Sequence, residues 1–260
     1  MKQIITTALA AIALCAGSAQ AGVINDTGAG AFWGGDAHGY GDVIGNSTFD
    51  IHGATIERNG NELKIAIATN FAGHAGVDTW AAQGGIAYGD LFLAETWNPY
   101  GGDANHAGSN SANGTLWSYG FHLDNRFSNT GGSFKLYQLN GATNAANTKG
   151  SEAFMSCGLG VSCYYRNGQA TAVNTASNTV TDTGLVGTWT VTPNAALEFT
   201  IMLSSVELAR YSSYALHWGE TCQNDVIEGQ VDMPVPVPLP GALPLMALGL
   251  AALGMARRRR

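Results

Sequence analysis

Charged residues are scarce in this sequence, and basic residues are the scarcest of them. Asp, Glu, Lys and Arg together make up 12% of the 260 residues, with 19 acids against 12 bases. Five of the bases, Lys2 and Arg257 to Arg260, lie at the chain ends, which leaves seven in residues 22–233 and a net charge of −12 there. So acidic a surface repels nucleic acid and anionic lipid, which argues against nucleic-acid binding.

Residues 22–233 also lack the sustained 3.6-residue hydrophobic period of a helical bundle. Apolar residues instead alternate with polar ones, as in half-buried strands. In 117–123, for example, the bulky residues fall on one face, opposite Ser118, Gly120 and His122. The predicted strands are 48–51, 63–67, 89–94, 117–123, 134–139, 164–166, 188–192, 197–203 and 214–218, with one helical turn in 205–211.

These segments and the Gly- and Asn-rich turns between them predict an all-β fold, an antiparallel β-sandwich of jelly-roll type. Residues 22–233 are long enough for one domain with a substantial core. The tripeptide Asp-Val-Ile occurs at Asp42 and again at Asp225. Either the first and last strands lie side by side, or the three-residue echo is a coincidence.

Cysteine is rare, with four residues in the whole chain. Cys157 and Cys163 bracket a five-residue loop that could close in an oxidising compartment, so we predict a disulfide between them. Cys222 is then expected to be free and buried. The alternative pairs Cys222 with either of the other two cysteines.

Long apolar runs occur only at the two ends. Residues 1–21 have a cationic start, an apolar core and an Ala-Gln-Ala cleavage site, and are predicted to be a signal peptide. Residues 234–260 comprise a proline-rich linker, an apolar segment at 241–256 predicted to be a transmembrane helix, and Arg257, Arg258, Arg259 and Arg260. Terminal arginines stay cytoplasmic, so residues 22–233 are expected to face outward.

The tail resembles the C-terminal sorting tails (PEP-CTERM-like) that bacterial exosortases process, in the variant that reads Val-Pro-Leu-Pro-Ala. Here the motif is Val237-Pro238-Leu239-Pro240-Gly241, with glycine in the last place. The segments 41–45, 88–92 and 217–229 are similar to an outer-surface domain found ahead of such tails. The resemblance implies an exosortase-type partner, cleavage near the motif, and a role with extracellular polysaccharide.

Calcium is a candidate ligand, because Ca²⁺ takes carboxylate, amide and carbonyl oxygens. The predicted ligands are Asp42, Asp90 and Asp225, with Asp36, Asn224 and Glu228 as further candidates. The competing interpretation is that these residues simply form turns. No EF-hand or nonapeptide calcium loop is present.

Aromatic residues in Gly-rich segments suggest glycan contact, since aromatic faces stack on sugar rings. The candidates are Trp33, Trp80, Trp97 and Tyr100, whereas Trp117, Trp189 and Trp218 are expected in the core. The four candidates could instead close the open ends of a sandwich.

Two enzyme hypotheses are weaker. Cys222 with His217 as nucleophile and base has no identifiable orienting acid. A glycosidase needs two carboxylates across a cleft, and the sequence does not single out a pair. The sequence therefore predicts an exported, membrane-tethered, non-catalytic cell-surface protein, with a secreted hydrolase of surface polysaccharide as the alternative.

Overall fold

The computed structural model describes residues 19–26, 47–98, 114–156, 169–203 and 206–233, and the fold of these residues is all-β. The strands are β1 Gln20–Asn25, β2 Ile51–Asn59, β3 Glu62–Thr69, β4 Leu91–Ala94, β5 Tyr119–Leu123, β6 Gly131–Leu139, β7 Thr148–Lys149, β8 Ala172–Val173, β9 Val180–Thr192, β10 Ala196–Met202, β11 Ser213–Gly219 and β12 Val226–Asp232. Short helices are α1 Asn144–Asn147 and the 3₁₀ turns Ser151–Ala153 and Glu207–Arg210. Within these residues no helix is both long and apolar enough to cross a membrane.

Ten of these strands form one antiparallel sheet in the order β1-β2-β3-β10-β9-β6-β5-β4-β11-β12. The prediction of an all-β antiparallel fold is confirmed. The jelly-roll prediction expected two separate sheets, whereas the strands hydrogen bond in one continuous sheet. Long strands with register shifts, such as β9 against β6, let that sheet curve without breaking.

The sheet curls until β1 contacts β12, so the first and last described strands lie side by side. Glycines make this contact close. A Cβ on Gly22 of β1 would lie 2.5 Å from Cβ of Val231 on β12. The neighbourhood was predicted for the segments at Asp42 and Asp225; Asp42 lies outside the described residues, so that prediction stays a prediction, and the neighbour of β12 seen here is β1.

Large apolar side chains fill the inside of the curled sheet. The largest fully buried ones include Trp189, Trp218, Tyr88, Phe121 and Phe199. A smaller apolar cluster around Trp117 and Phe92 lies on the outer face, under the chain that follows β6. The three tryptophans expected in the core, Trp117, Trp189 and Trp218, are all buried.

The strands define two ends of the sheet. The end where β1 begins and β12 finishes, which we call the terminal end, also has the turn between β2 and β3. The opposite end, called the loop end, has four described connections: 70–90, 124–130, 193–195 and 220–225. The eight residues of β3 separate the two ends by about 23 Å.

Candidate functional site

The loop end has a well-ordered connection between β3 and β4 that holds an exposed tryptophan. Residues 76–86, here called the Trp80 loop, are closed by an antiparallel bridge between Val77 and Ile86. Gly85 has φ of 90°, and a Cβ there would lie 2.4 Å from the backbone of Gly76. Only glycine fits this crossing, so the loop has a defined conformation.

Trp80 stands on this loop with 56% of its surface exposed. Its indole Nε1 donates to Oδ1 of Asp78 at 3.2 Å, which fixes the direction of the ring. Beside the ring is a small cavity, also lined by Phe49, Ile86, Met155, Cys222 and Asn224. Trp80 thus exposes part of its ring to solvent while another part lines this cavity, and both glycan contact and closure of this end of the sheet stay predictions.

A second exposed ring, from another turn, lies against the Trp80 loop. Phe127, in the turn between β5 and β6, is 42% exposed, and its Cζ is 3.4 Å from the position of a Cβ on Gly84. Sequence analysis did not predict Phe127 as a site residue. Its signal was an aromatic residue inside the polar run Asp124 to Thr130, where a turn exposes the side chain.

The loop is also braced from a third segment. Ala82 bridges Met155, and Ser156 N donates to the carbonyl oxygen of Ala81 at 2.8 Å. The neighbouring Phe154 ring lies under the Arg126 guanidinium, 5.1 Å from Cζ to the ring centroid. The Trp80 loop thus contacts two other parts of the chain, the turn that holds Phe127 and the segment that holds Met155 and Ser156.

Trp97 does not belong to this surface. It follows β4 at the terminal end, where its Nε1 donates to Oε2 of Glu228 and its backbone N donates to Oε1 of Gln230. The structure therefore separates Trp80 and Trp97, which the sequence had grouped as glycan contacts. Trp33 and Tyr100 lie outside the described residues.

Asp90 lies directly before β4, and its carboxylate is fully buried. Oδ1 accepts from Leu123 N and Arg126 Nη2, both at 3.2 Å, and Oδ2 accepts from Val173 N at 2.8 Å and lies 2.8 Å from His122 Nδ1. Burial works against the charge of this carboxylate, but Arg126 and His122 outweigh it and hold the pKa of Asp90 below its ordinary value.

Through these contacts Asp90 stabilises the fold, because its carboxylate joins β4 and β5 to the segment around β8. Calcium at Asp90 would have to replace four protein contacts around the two carboxylate oxygens. Calcium binding at Asp90 stays a prediction, and the loss of these four contacts would oppose it.

Glu228 and His217 form a second buried pair, on neighbouring positions of β12 and β11. His217 Nδ1 is 2.8 Å from Oε1 of Glu228, and Nε2 is 2.7 Å from the carbonyl oxygen of Ala170. Both ring nitrogens are therefore within hydrogen-bond distance of an acceptor. His217 is thus engaged away from Cys222 and does not serve it as a base.

Asp225 ends the turn between β11 and β12 and ties that turn to β2. Its Oδ2 accepts from Ile51 N at 2.7 Å, and its Oδ1 accepts from Val226 N at 2.9 Å. Asp90 and Asp225 therefore serve different strands. No group of three or more His, Cys, Asp or Glu side chains within the described residues could hold a metal ion. Asp36 and Asp42 lie outside that part of the chain.

Cys222 is free and buried, as the sequence predicted. Burial, with a contribution from the charge of Glu220, raises the pKa of its thiol well above the ordinary value. A thiol of this kind is a poor nucleophile. The predicted partners Cys157 and Cys163 lie outside the described residues, so their disulfide stays a prediction.

Comparison with known proteins gives no relative for this chain: no family model, no curated protein and no solved structure matches it. The site is therefore interpreted from its own residues. Those residues are the exposed Trp80, the fixing carboxylate of Asp78 and the neighbouring Phe127.

Proposed function

We propose that this is an exported, non-catalytic cell-surface protein, tethered by its C-terminal tail and then processed by an exosortase-type enzyme. Residues 1–21 serve as the signal peptide and residues 234–260 as linker, membrane helix and arginine-rich sorting tail. Both before cleavage, when the tail anchors it to the membrane, and after cleavage, the sheet domain lies outside the cell, and its proposed role is to be displayed there. Its setting is the extracellular polysaccharide.

The observation that carries the proposal is the position of the two domain ends. Arg58, 5% exposed on β2, donates from Nη1 to the carbonyl oxygen of Tyr211 and from Nη2 to that of Met233, at 2.8 and 3.1 Å. The same Nη2 lies 3.4 Å from Oε1 of Gln20. One guanidinium thus contacts the last described residue before the linker, a contact that the mature chain keeps, whereas Gln20 is removed by cleavage after Ala21.

This arrangement supports a single attachment side. A membrane anchor after Met233 leaves from the terminal end, so the loop end is directed away from the membrane. Cleavage after Ala21 removes two residues of β1 and retains the paired positions from Gly22 to Asn25. The mature domain therefore keeps the contact between β1 and β12.

Mass spectrometry of the protein from the envelope and medium of an exosortase-competent host tests the proposal. We expect a chain that begins at Gly22 and ends near the motif 237–241. A matched strain without exosortase should retain the tail in the membrane fraction. An envelope protein of the same mass in both strains would contradict sorting, and an uncleaved N-terminus in the cytosol would contradict export.

A further inference from the structure

We propose that the loop end is a binding surface for neutral polysaccharide, with the Trp80 ring as the stacking platform. The inference rests on the proposed function only for its setting outside the cell. Its evidence is the exposed ring, the fixed loop, the charge of the domain and the distance from the terminal end.

The chemistry of the surface fits a sugar. A pyranose ring offers an apolar C–H face and a rim of hydroxyls, so it needs a flat aromatic face beside hydrogen-bonding groups. Trp80 supplies the face, with 56% of its surface exposed. The carboxylate of Asp78 lies next to the ring and supplies polar atoms for the hydroxyls.

The platform is already ordered before a ligand arrives. The indole is held by Asp78, the loop is closed by the bridge between Val77 and Ile86, and Ala81 accepts from Ser156 N. A side chain that is fixed in advance loses little conformational entropy on binding. This favours specific ring stacking over adaptable apolar contact.

Charge selects the class of polysaccharide. Residues 22–233 carry seven basic and 19 acidic residues, a net charge of −12. The carboxylate nearest the Trp80 ring, that of Asp78, adds negative charge at the contact itself. Uronate, sulfate or phosphate groups would be repelled, so the ligand is a neutral glycan.

The position of Trp80 suits a ligand in the extracellular matrix. Its loop joins β3 to β4 at the loop end, about 23 Å along the strands from the terminal end. An anchored molecule would therefore hold Trp80 toward the matrix and not toward its own membrane.

Binding of defined oligosaccharides tests the inference directly. The processed full protein is immobilised and titrated with neutral hexasaccharides of glucose, mannose, galactose and xylose, and with a hexauronate. We expect at least one neutral hexasaccharide to bind and to quench tryptophan fluorescence. Trp80→Ala should weaken binding at least tenfold and remove the quenching, and Trp80→Phe should retain part of the affinity because a ring remains.

Leu116→Ala is the matched control, since Leu116 is also an exposed apolar residue, at 48%, but follows β4 on the way to β5 at the terminal end. It should bind like the wild type. Unchanged thermal melting of Trp80→Ala shows that the fold is intact. No binding of any neutral hexasaccharide, equal binding by Trp80→Ala, or preference for the hexauronate would overturn the inference. Those results with normal export and processing would leave the proposed function in place.

Discussion

Gly229 of β12 and Ile24 of β1 fit together without any spare room. A Cβ on Gly229 would lie 2.6 Å from Cγ2 of Ile24, closer than side-chain atoms pack. The contact lies beside that of Gly22 with Val231, so each strand offers a glycine to an aliphatic residue of the other. The two outer strands of the sheet are thereby held together by side-chain packing.

Replacement of Gly229 by Ala should therefore strain the contact between β1 and β12. We expect a loss of about 1–3 kcal/mol in the free energy of unfolding, as for other overpacked sites. In Ile24→Ala the space is open, so Gly229→Ala should cost much less in that background. Urea unfolding of the wild type, both single variants and the double variant measures this coupling, and additive effects would contradict the packing described.

Arg58 should be important for stability although no carboxylate forms a close ion pair with it in the described part of the chain. Arg58→Met removes the donors to Tyr211 and Met233 and leaves buried carbonyl oxygens unsatisfied. We expect a loss of about 2–3 kcal/mol, because unpaired buried acceptors are costly. Lys64→Met is the control, since the Lys64–Glu62 pair is exposed and contributes under about 1 kcal/mol. Similar losses for both variants would contradict the role of Arg58.

The alternating strands were predictable because each has one buried and one freer face. In β5 the side chains of Tyr119, Phe121 and Leu123 are buried, whereas His122 is partly exposed, as the pattern indicated. β12 was not among the strands predicted from alternation, because the outer face of the sheet is covered along its first half. Val226, Ile227 and Glu228 are all buried, so burial alternates only from Gly229 to Asp232.

The residues of the candidate site could not be grouped from the sequence, because their positions follow from pairing between strands that are distant in the chain. Trp80 and Trp97 both lie in Gly-rich sequence, yet the short β4 between them places one at each end of the sheet. The pairing of Glu228 with His217 likewise follows from the register of β11 and β12. Sequence could identify the residue types but could not assign them to one surface.

Asp90 should make stability sensitive to acid. Its pKa in the folded protein lies below the ordinary value of 3.8, so it stabilises the fold above that pH and loses this contribution as pH falls from 3.8 through the lower folded pKa. Asp90→Asn should destabilise the protein by about 3 kcal/mol at neutral pH, because the partly buried Arg126 is left without its charge partner. The variant should also show a flatter decline of unfolding free energy as pH falls below 3.8.

Asp182→Asn is the control for this titration. Gly184 N and Lys135 lower the pKa of Asp182, but its carboxylate is exposed and screened by solvent. Its substitution should leave the acid profile almost unchanged. An acid profile of Asp90→Asn that matches the wild type would contradict the charge assignment of the buried network.

Thiol labelling checks Cys222 and the predicted disulfide together. In the native, unreduced protein that begins at Gly22, iodoacetamide should modify no cysteine at neutral pH, because burial keeps Cys222 protonated and inaccessible. In urea without reductant, one thiol per chain should react, and peptide mapping should place it at Cys222. Three reactive thiols would contradict a disulfide between Cys157 and Cys163.

The central claim is that both apolar ends direct an acidic β-sheet domain to the cell exterior. Intact-mass measurement of the protein from the outside of exosortase-competent cells tests it most directly. The account predicts a chain that starts at Gly22 and lacks the apolar segment 241–256 and the four terminal arginines. A full-length chain of 260 residues recovered from the cytosol would contradict it.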